Sequence, residues 1–204
     1  EFRRVLFRSW DNDRRAEIFL LSPDEKQLGI TRPDAKGRLP FPTLIPLEGK
    51  PLAMAVPPAR TAGKATLAVI VDNDGKRSLV IRSPDGATRT QKLAEGFKSN
   101  PTSLTWHDVD QDGLADLVAL VPYEKVKVLR QVAGKPFEEL DVAPPGGTVE
   151  QPWLASADVD GDGKAELLLP QKNFVRAVLL KREDKQTDTS PSGWVFTVRD
   201  QING

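Results

Sequence analysis

The chain has no cysteine among its 204 residues, and only one histidine, one methionine and one tyrosine. Without cysteine there is no disulfide framework and no thiolate metal site. That absence leaves the cellular compartment open, since exported proteins can also lack cysteine. With His107 as the sole histidine, a Ser-His-Asp relay has one base to draw on, and imidazole-rich transition-metal sites are excluded. No apolar run approaches the length of a membrane span. Neither charge sign dominates, with 29 basic and 29 acidic residues, so nothing in the balance points to a nucleic-acid partner. No stretch carries amphipathic helical periodicity over a useful length. What is present is a globular composition, 39% hydrophobic and 28% charged, with 17 prolines and 15 glycines spread along the chain. Short strands punctuated by turns produce that distribution.

The first nine residues, Glu1 to Ser9, fit throughout the in-frame translation of a common sequencing-adapter oligonucleotide. They are expected to be non-native and are set aside from fold reasoning, leaving 10–204 as the natural segment, truncated at its start. The other readings weighed are a basic nucleic-acid arm and a cut-off signal peptide. The nine include three arginines and one glutamate, so removing them takes the formal net charge from 0 to −2.

The rest of the chain repeats. Asp108-Val109-Asp110-Gln111-Asp112-Gly113-Leu114-Ala115-Asp116-Leu117 recurs 50 residues on as Asp158-Val159-Asp160-Gly161-Asp162-Gly163-Lys164-Ala165-Glu166-Leu167. Fifty residues before the first copy of the loop's end stands Gly63-Lys64-Ala65-Thr66-Leu67. A further 49 back stands Arg14-Arg15-Ala16-Glu17-Ile18, preceded by Asp11 and Asp13. Pro51, Pro101 and Pro152 fall at nearly the same phase.

Each unit has one grammar: a short strand, the loop, an apolar run, a segment alternating with period two, a turn and a fourth strand. In the third unit these are Leu104–Trp106, 108–116, Leu117–Val121, Lys125–Arg130 and Phe137–Val142. The fourth offers 153–155, 166–169, 174–180 and 194–198, and the second 52–56, 67–71, 79–81 and 88–93. Four short antiparallel strands every 50 residues predict an all-β chain, a β-propeller fragment of about four four-stranded blades, near 10–49, 50–99, 100–149 and 150–204. A β-sandwich would not require the fixed stride. Blades packed face to face bury both sheet faces, with the fourth strand the more exposed. Trp10, Trp106, Trp153 and Trp194 are expected to pack between blades, a sugar-stacking platform being the other reading. Asp72-Asn73-Asp74-Gly75 is out of phase with the loops and reads as a hairpin turn.

Within the two intact loops, carboxylates stand at positions 1, 3, 5 and 9: Asp108, Asp110, Asp112, Asp116, and Asp158, Asp160, Asp162, Glu166. Four like charges in nine residues repel unless neutralised. A hard divalent cation does this, and calcium, tolerant of flexible geometry and about 6–8 oxygens, suits better than magnesium. Leu114 and Lys164, at position 7, would add backbone carbonyls, while glycine at position 6 permits the turn. An EF-hand is excluded, because position 12 is Ala119 or Leu169 and a strand follows the loop. A metal-free Asp/Gly-rich β-turn is the alternative. A degenerate third site falls near Asp11, Asp13 and Glu17. The second unit has Pro58, Arg60, Ala62 and Thr66 at these positions and should hold no metal.

Unit by unit, 10–204 resembles the FG-GAP/VCBS repeat family, whose β-propellers are similar to the integrin α-chain head. The resemblance implies that the loop joins the first two strands of a blade and holds calcium through the residues named. It implies a calcium-stabilised binding, adhesion or scaffold module, secreted, periplasmic or on the cell surface, with a protein or glycan ligand. No nucleic-acid partner and no membrane insertion are expected. The alternative is part of a propeller-fold polysaccharide lyase or hydrolase whose catalytic residues lie mostly elsewhere. No catalytic residue is expected here, His107 being read as a strand-end residue.

Overall fold

A computed structural model describes residues 10, 15–57, 66–94, 98–183 and 192–203, together with the backbone of 4–8. Every regular element among them is a β-strand, and none is a helix. The chain divides into two compact units, residues 1–95 and 96–204.

The first unit holds two sheets. In one, β1 (Arg4–Arg8), β2 (Glu17–Ser22), β3 (Gln27–Thr31) and β4 (Thr43–Leu44) lie in sequence order, all antiparallel. In the other, β5 (Lys50–Ala55), β6 (Leu67–Asn73), β7 (Lys76–Arg82) and β8 (Thr88–Lys92) do the same. Phe19, Leu21 and Leu28 of the first sheet meet Met54, Leu67, Val69 and Val71 of the second in one buried cluster. The predicted hairpin at residues 72–75 is there. Asp74 and Gly75 both take positive φ, 53° and 82°, and the Gly75 amide donates to the Asp72 carboxylate at 3.0 Å. Positive φ at both central residues suits the twist of a two-residue hairpin.

Residues 4–8, set aside on sequence grounds, pair with β2 from Arg4↔Leu21 to Arg8↔Glu17. Without a neighbour there, β2 would present a row of unpaired N–H and C=O groups, and an extended segment satisfies them whatever its side chains.

The second unit is built alike. Its third sheet comprises β9 (Ser103–His107), β10 (Asp116–Leu120), β11 (Val126–Arg130) and β12 (Glu138–Val142). Its fourth comprises β13 (Ala155–Ala157), β14 (Glu166–Pro170), β15 (Phe174–Arg182) and β16 (Trp194–Asn203). Along β10 the side chains alternate between faces. Val118 and Leu120 enter a cluster with Val126, Val128, Leu167 and Leu169. Asp116 belongs to the same row as Val118, so the last residue of the third-sheet loop enters on the core-facing side.

The fourth strands β8 and β16 are largely exposed, as is the short first strand β13, whereas β6 and β10 are mostly buried. The tryptophans do not share one role. Trp194 packs on the core of the second unit and Trp10 on that of the first, but Trp10 lies at a bend, not on a strand. Trp153, expected on a strand between blades, precedes β13 and is 45% exposed. Pro152 lacks an N–H to give a ladder, and pairing in this sheet starts only at Ala155.

Candidate metal centre

Each acidic loop connects the first strand of a sheet to the second, 108–115 between β9 and β10 and 158–165 between β13 and β14. Four backbone-to-carboxylate hydrogen bonds recur in both. The glycine at position 6 donates its N–H to the aspartate at position 1, Gly113 to Asp108 and Gly163 to Asp158, each at 2.9 Å. Position 5 donates to position 3, Asp112 to Asp110 at 3.3 Å and Asp162 to Asp160 at 3.2 Å. Position 7 donates to position 5, Leu114 to Asp112 at 2.9 Å and Lys164 to Asp162 at 2.8 Å. Position 2 donates to position 9, Val109 to Asp116 and Val159 to Glu166, each at 3.0 Å. The chain bends tightly enough for this because positions 4 and 6 take positive φ: Gln111 58° and Gly113 90°, Gly161 78° and Gly163 86°.

The result is two converged carboxylate groups. Asp108, Asp110 and Asp116 each bring an oxygen within 4.8 Å of the others, and so do Asp158, Asp160 and Glu166. Asp112 and Asp162 stay outside these groups, their carboxylates turned to the amides of Leu114 and Lys164. Of the degenerate third site, Asp11 and Asp13 lie outside the described residues. Glu17 is buried and makes an ion pair with Arg32 at 3.0 Å, and its other oxygen accepts the backbone N–H of Trp10 at 2.6 Å. In the second sheet, 58–65 lie outside the described residues.

Burial and crowding act on the third-sheet loop. Desolvation pushes the Asp116 carboxyl up to about 7. The Gln131 and Val109 amides oppose this, and the Asp110 and Asp112 charges add to it. Asp108 is raised for the same leading reason. A carboxylate that hydrogen bonds alone do not keep in its ordinary range is one that a cation would stabilise.

One residue at this loop was not anticipated. Arg130, at the end of β11, sets Nε 2.5 Å from the Asp110 carboxylate and a terminal nitrogen 2.9 Å from Asp112. A further nitrogen lies 3.7 Å from Glu138, and the guanidinium carbon is 4.7 Å from the centroid of the Trp194 ring. The fourth-sheet loop has no such cation: no lysine or arginine makes an ion pair with Asp158, Asp160, Asp162 or Glu166 among the described residues. A basic residue at the end of the alternating segment 125–130 was visible in the sequence. That it lands on the loop depends on strand register.

Residues 108–169 match the FG-GAP-like repeat family. The matched segment begins at the first aspartate of one loop and ends just beyond the second loop, so it contains both carboxylate groups. An FG-GAP-like repeat is a β-propeller-type module, in agreement with the four-stranded sheet in which each loop joins the first two strands. Comparison with curated proteins gave no match. Among the described residues no helix is long and apolar enough to cross a membrane.

The donors of the FG-GAP-like segment suit a hard divalent cation. Each group offers carboxylate oxygens alone, with no nitrogen or sulfur ligand. Among the described residues the fourth-sheet group has no ion pair to give up to such an ion, whereas the third-sheet group shares Asp110 with Arg130.

Proposed function

We propose that the chain is part of a calcium-stabilised extracytoplasmic β-propeller acting as a binding, adhesion or scaffold module. The observation that carries this is the recurrence of the carboxylate group, with the same four hydrogen bonds, in consecutive sheets of one FG-GAP-like segment. A single acidic turn could be incidental, but two with matched geometry at one stride favour a shared ligand. Calcium accepts carboxylates in flexible arrangements, and magnesium demands a stricter octahedron. Extracellular modules bind calcium at about 10⁻⁴–10⁻³ M, a range in which sites are filled outside a cell and largely empty in cytosol. The ion would tie the first two strands of a blade together and stabilise the fold by mass action.

A non-catalytic role for this segment is supported by His107. It is only 8% exposed, its Nε2 has no hydrogen-bond partner, and burial pulls its pKa down to about 4, so it offers substrate no accessible base. The ligand contacts of such a module would come from loops, with a protein or glycan as partner.

Isothermal titration of calcium into the chain tests the reading. Saturable binding, weakened when Asp158 and Asp160 are changed to asparagine, is expected. Absence of binding at millimolar calcium would overturn it.

A further inference from the structure

We propose that Arg130 is a built-in counter-cation of the third-sheet loop, so that calcium fills loop 158–166 first and loop 108–116 only as the guanidinium gives way. This rests on the calcium reading above and adds an order of filling to it.

Register carries the case. In the third sheet Leu117 pairs with Leu129 and Arg130 with Glu138, so the next step along the ladder sets Arg130 beside Asp116, the ninth loop position. In the first sheet Ile18 pairs with Thr31, and the next step sets Arg32 beside Glu17, again the ninth position. There the ion pair forms at 3.0 Å. In the fourth sheet Leu167 pairs with Val178, and the residue beside Glu166 is Leu179, an apolar side chain only 3% exposed. Two sheets thus place an arginine on the loop's ninth position, and the fourth places a leucine there.

The chemistry differs accordingly. In loop 108–116 the guanidinium lies on Asp110, a member of the converged group, and on Asp112. A dication entering there must take Asp110 from an arginine and then sit near its positive charge. Arg130 has somewhere to remain, since Glu138 and the face of Trp194 hold it from the other side. In loop 158–166 no lysine or arginine among the described residues has to be displaced, and the carboxylates repel one another until an ion enters.

Calorimetric titration with calcium chloride, on the whole chain and three variants, tests this. The expected result is two phases separated by at least tenfold in Kd. Asp160→Asn should remove the tighter phase. Arg130→Met should tighten the weaker phase about tenfold and leave the tighter one within twofold. Arg130→Lys, which keeps the charge but loses the planar fork, should fall between, and it serves as the measurement if the methionine variant does not fold. A single tight phase in the original chain, with a second appearing in Arg130→Met, supports the same conclusion. Two phases of equal affinity, or a weaker phase unmoved by both Arg130 changes, would overturn the proposal while leaving calcium binding intact. Absence of any binding would instead remove the calcium reading itself.

Discussion

His107 and Asp116 stand directly opposite each other across β9 and β10, both buried, and burial moves their proton affinities in opposite directions. Desolvation pulls the imidazole down to about 4 and pushes the carboxyl up to about 7. Between about pH 4 and 6.5 the folded chain holds a neutral imidazole and a protonated carboxyl, while the unfolded chain holds an imidazolium and a carboxylate. The proton counts are equal, so the pair leaves stability nearly independent of pH in that window.

Removing either partner should expose the other. His107→Asn leaves Asp116, whose folded value lies above its ordinary 3.8. Its contribution is then full in acid and lost as pH rises toward 7. Asp116→Asn leaves His107, whose folded value lies below its ordinary 6.5, so stability falls as pH drops from 6.5 toward 4. Each slope should reach up to about 1.4 kcal/mol per pH unit. Urea denaturation in calcium-free buffer at about pH 4.5, 5.5 and 6.5 reads both. Slopes of the same sign in the two variants would refute the compensation.

Calcium should raise the melting temperature. With dissociation constants of about 10⁻⁴–10⁻³ M, roughly 10 mM calcium adds about 1.4–2.7 kcal/mol per occupied site. For a chain of this size that is a shift of about 3–10 °C. Differential scanning calorimetry with equimolar magnesium as the comparison checks this, magnesium being expected to give the smaller shift.

The loop turns should respond to backbone chemistry rather than to space. A Cβ at Gly113 or Gly163 would meet nothing within 4 Å, yet both have φ near 90°. Gly163→Ala should therefore cost about 1–2 kcal/mol from the left-handed backbone alone. Gln111 already takes a left-handed φ of 58° where the other loop has Gly161. Gln111→Gly should raise stability by up to about 1 kcal/mol. Opposite signs for the two substitutions in thermal denaturation are the expected outcome, and equal signs would contradict it.

Leu120 and Leu167 are fully buried, one from each sheet of the second unit, in the cluster that joins them. Leu120→Ala or Leu167→Ala should each cost about 2–5 kcal/mol through lost burial and the cavity left behind. The exposed Lys125→Ala should change stability by less than about 0.5 kcal/mol. Equilibrium unfolding curves distinguish the two classes.

Much of this was legible beforehand because local rules act locally. The period-two segment ending at Arg130 became β11, and the run from Leu117 became the buried β10. The Asp-Gly-rich loops fell between the first two strands, where apolar runs give way to residues that tolerate tight backbone turns. Trp153 was misplaced because an aromatic beside a proline looks like a strand end, and only ladder pairing shows where a strand begins. Arg130 was missed for a related reason: the pairing register between separate strands decides which residue stands beside a given carboxylate.

From its amino acids alone the chain determined the strand-and-turn grammar, its stride and the carboxylates carried by each loop, because propensity and charge repulsion depend on near neighbours. Only the folded arrangement decided which carboxylates converge and which receive an arginine, because pairing register joins residues from separate strands. That joining sets an arginine against the ninth loop position in the first and third sheets and a leucine in the fourth.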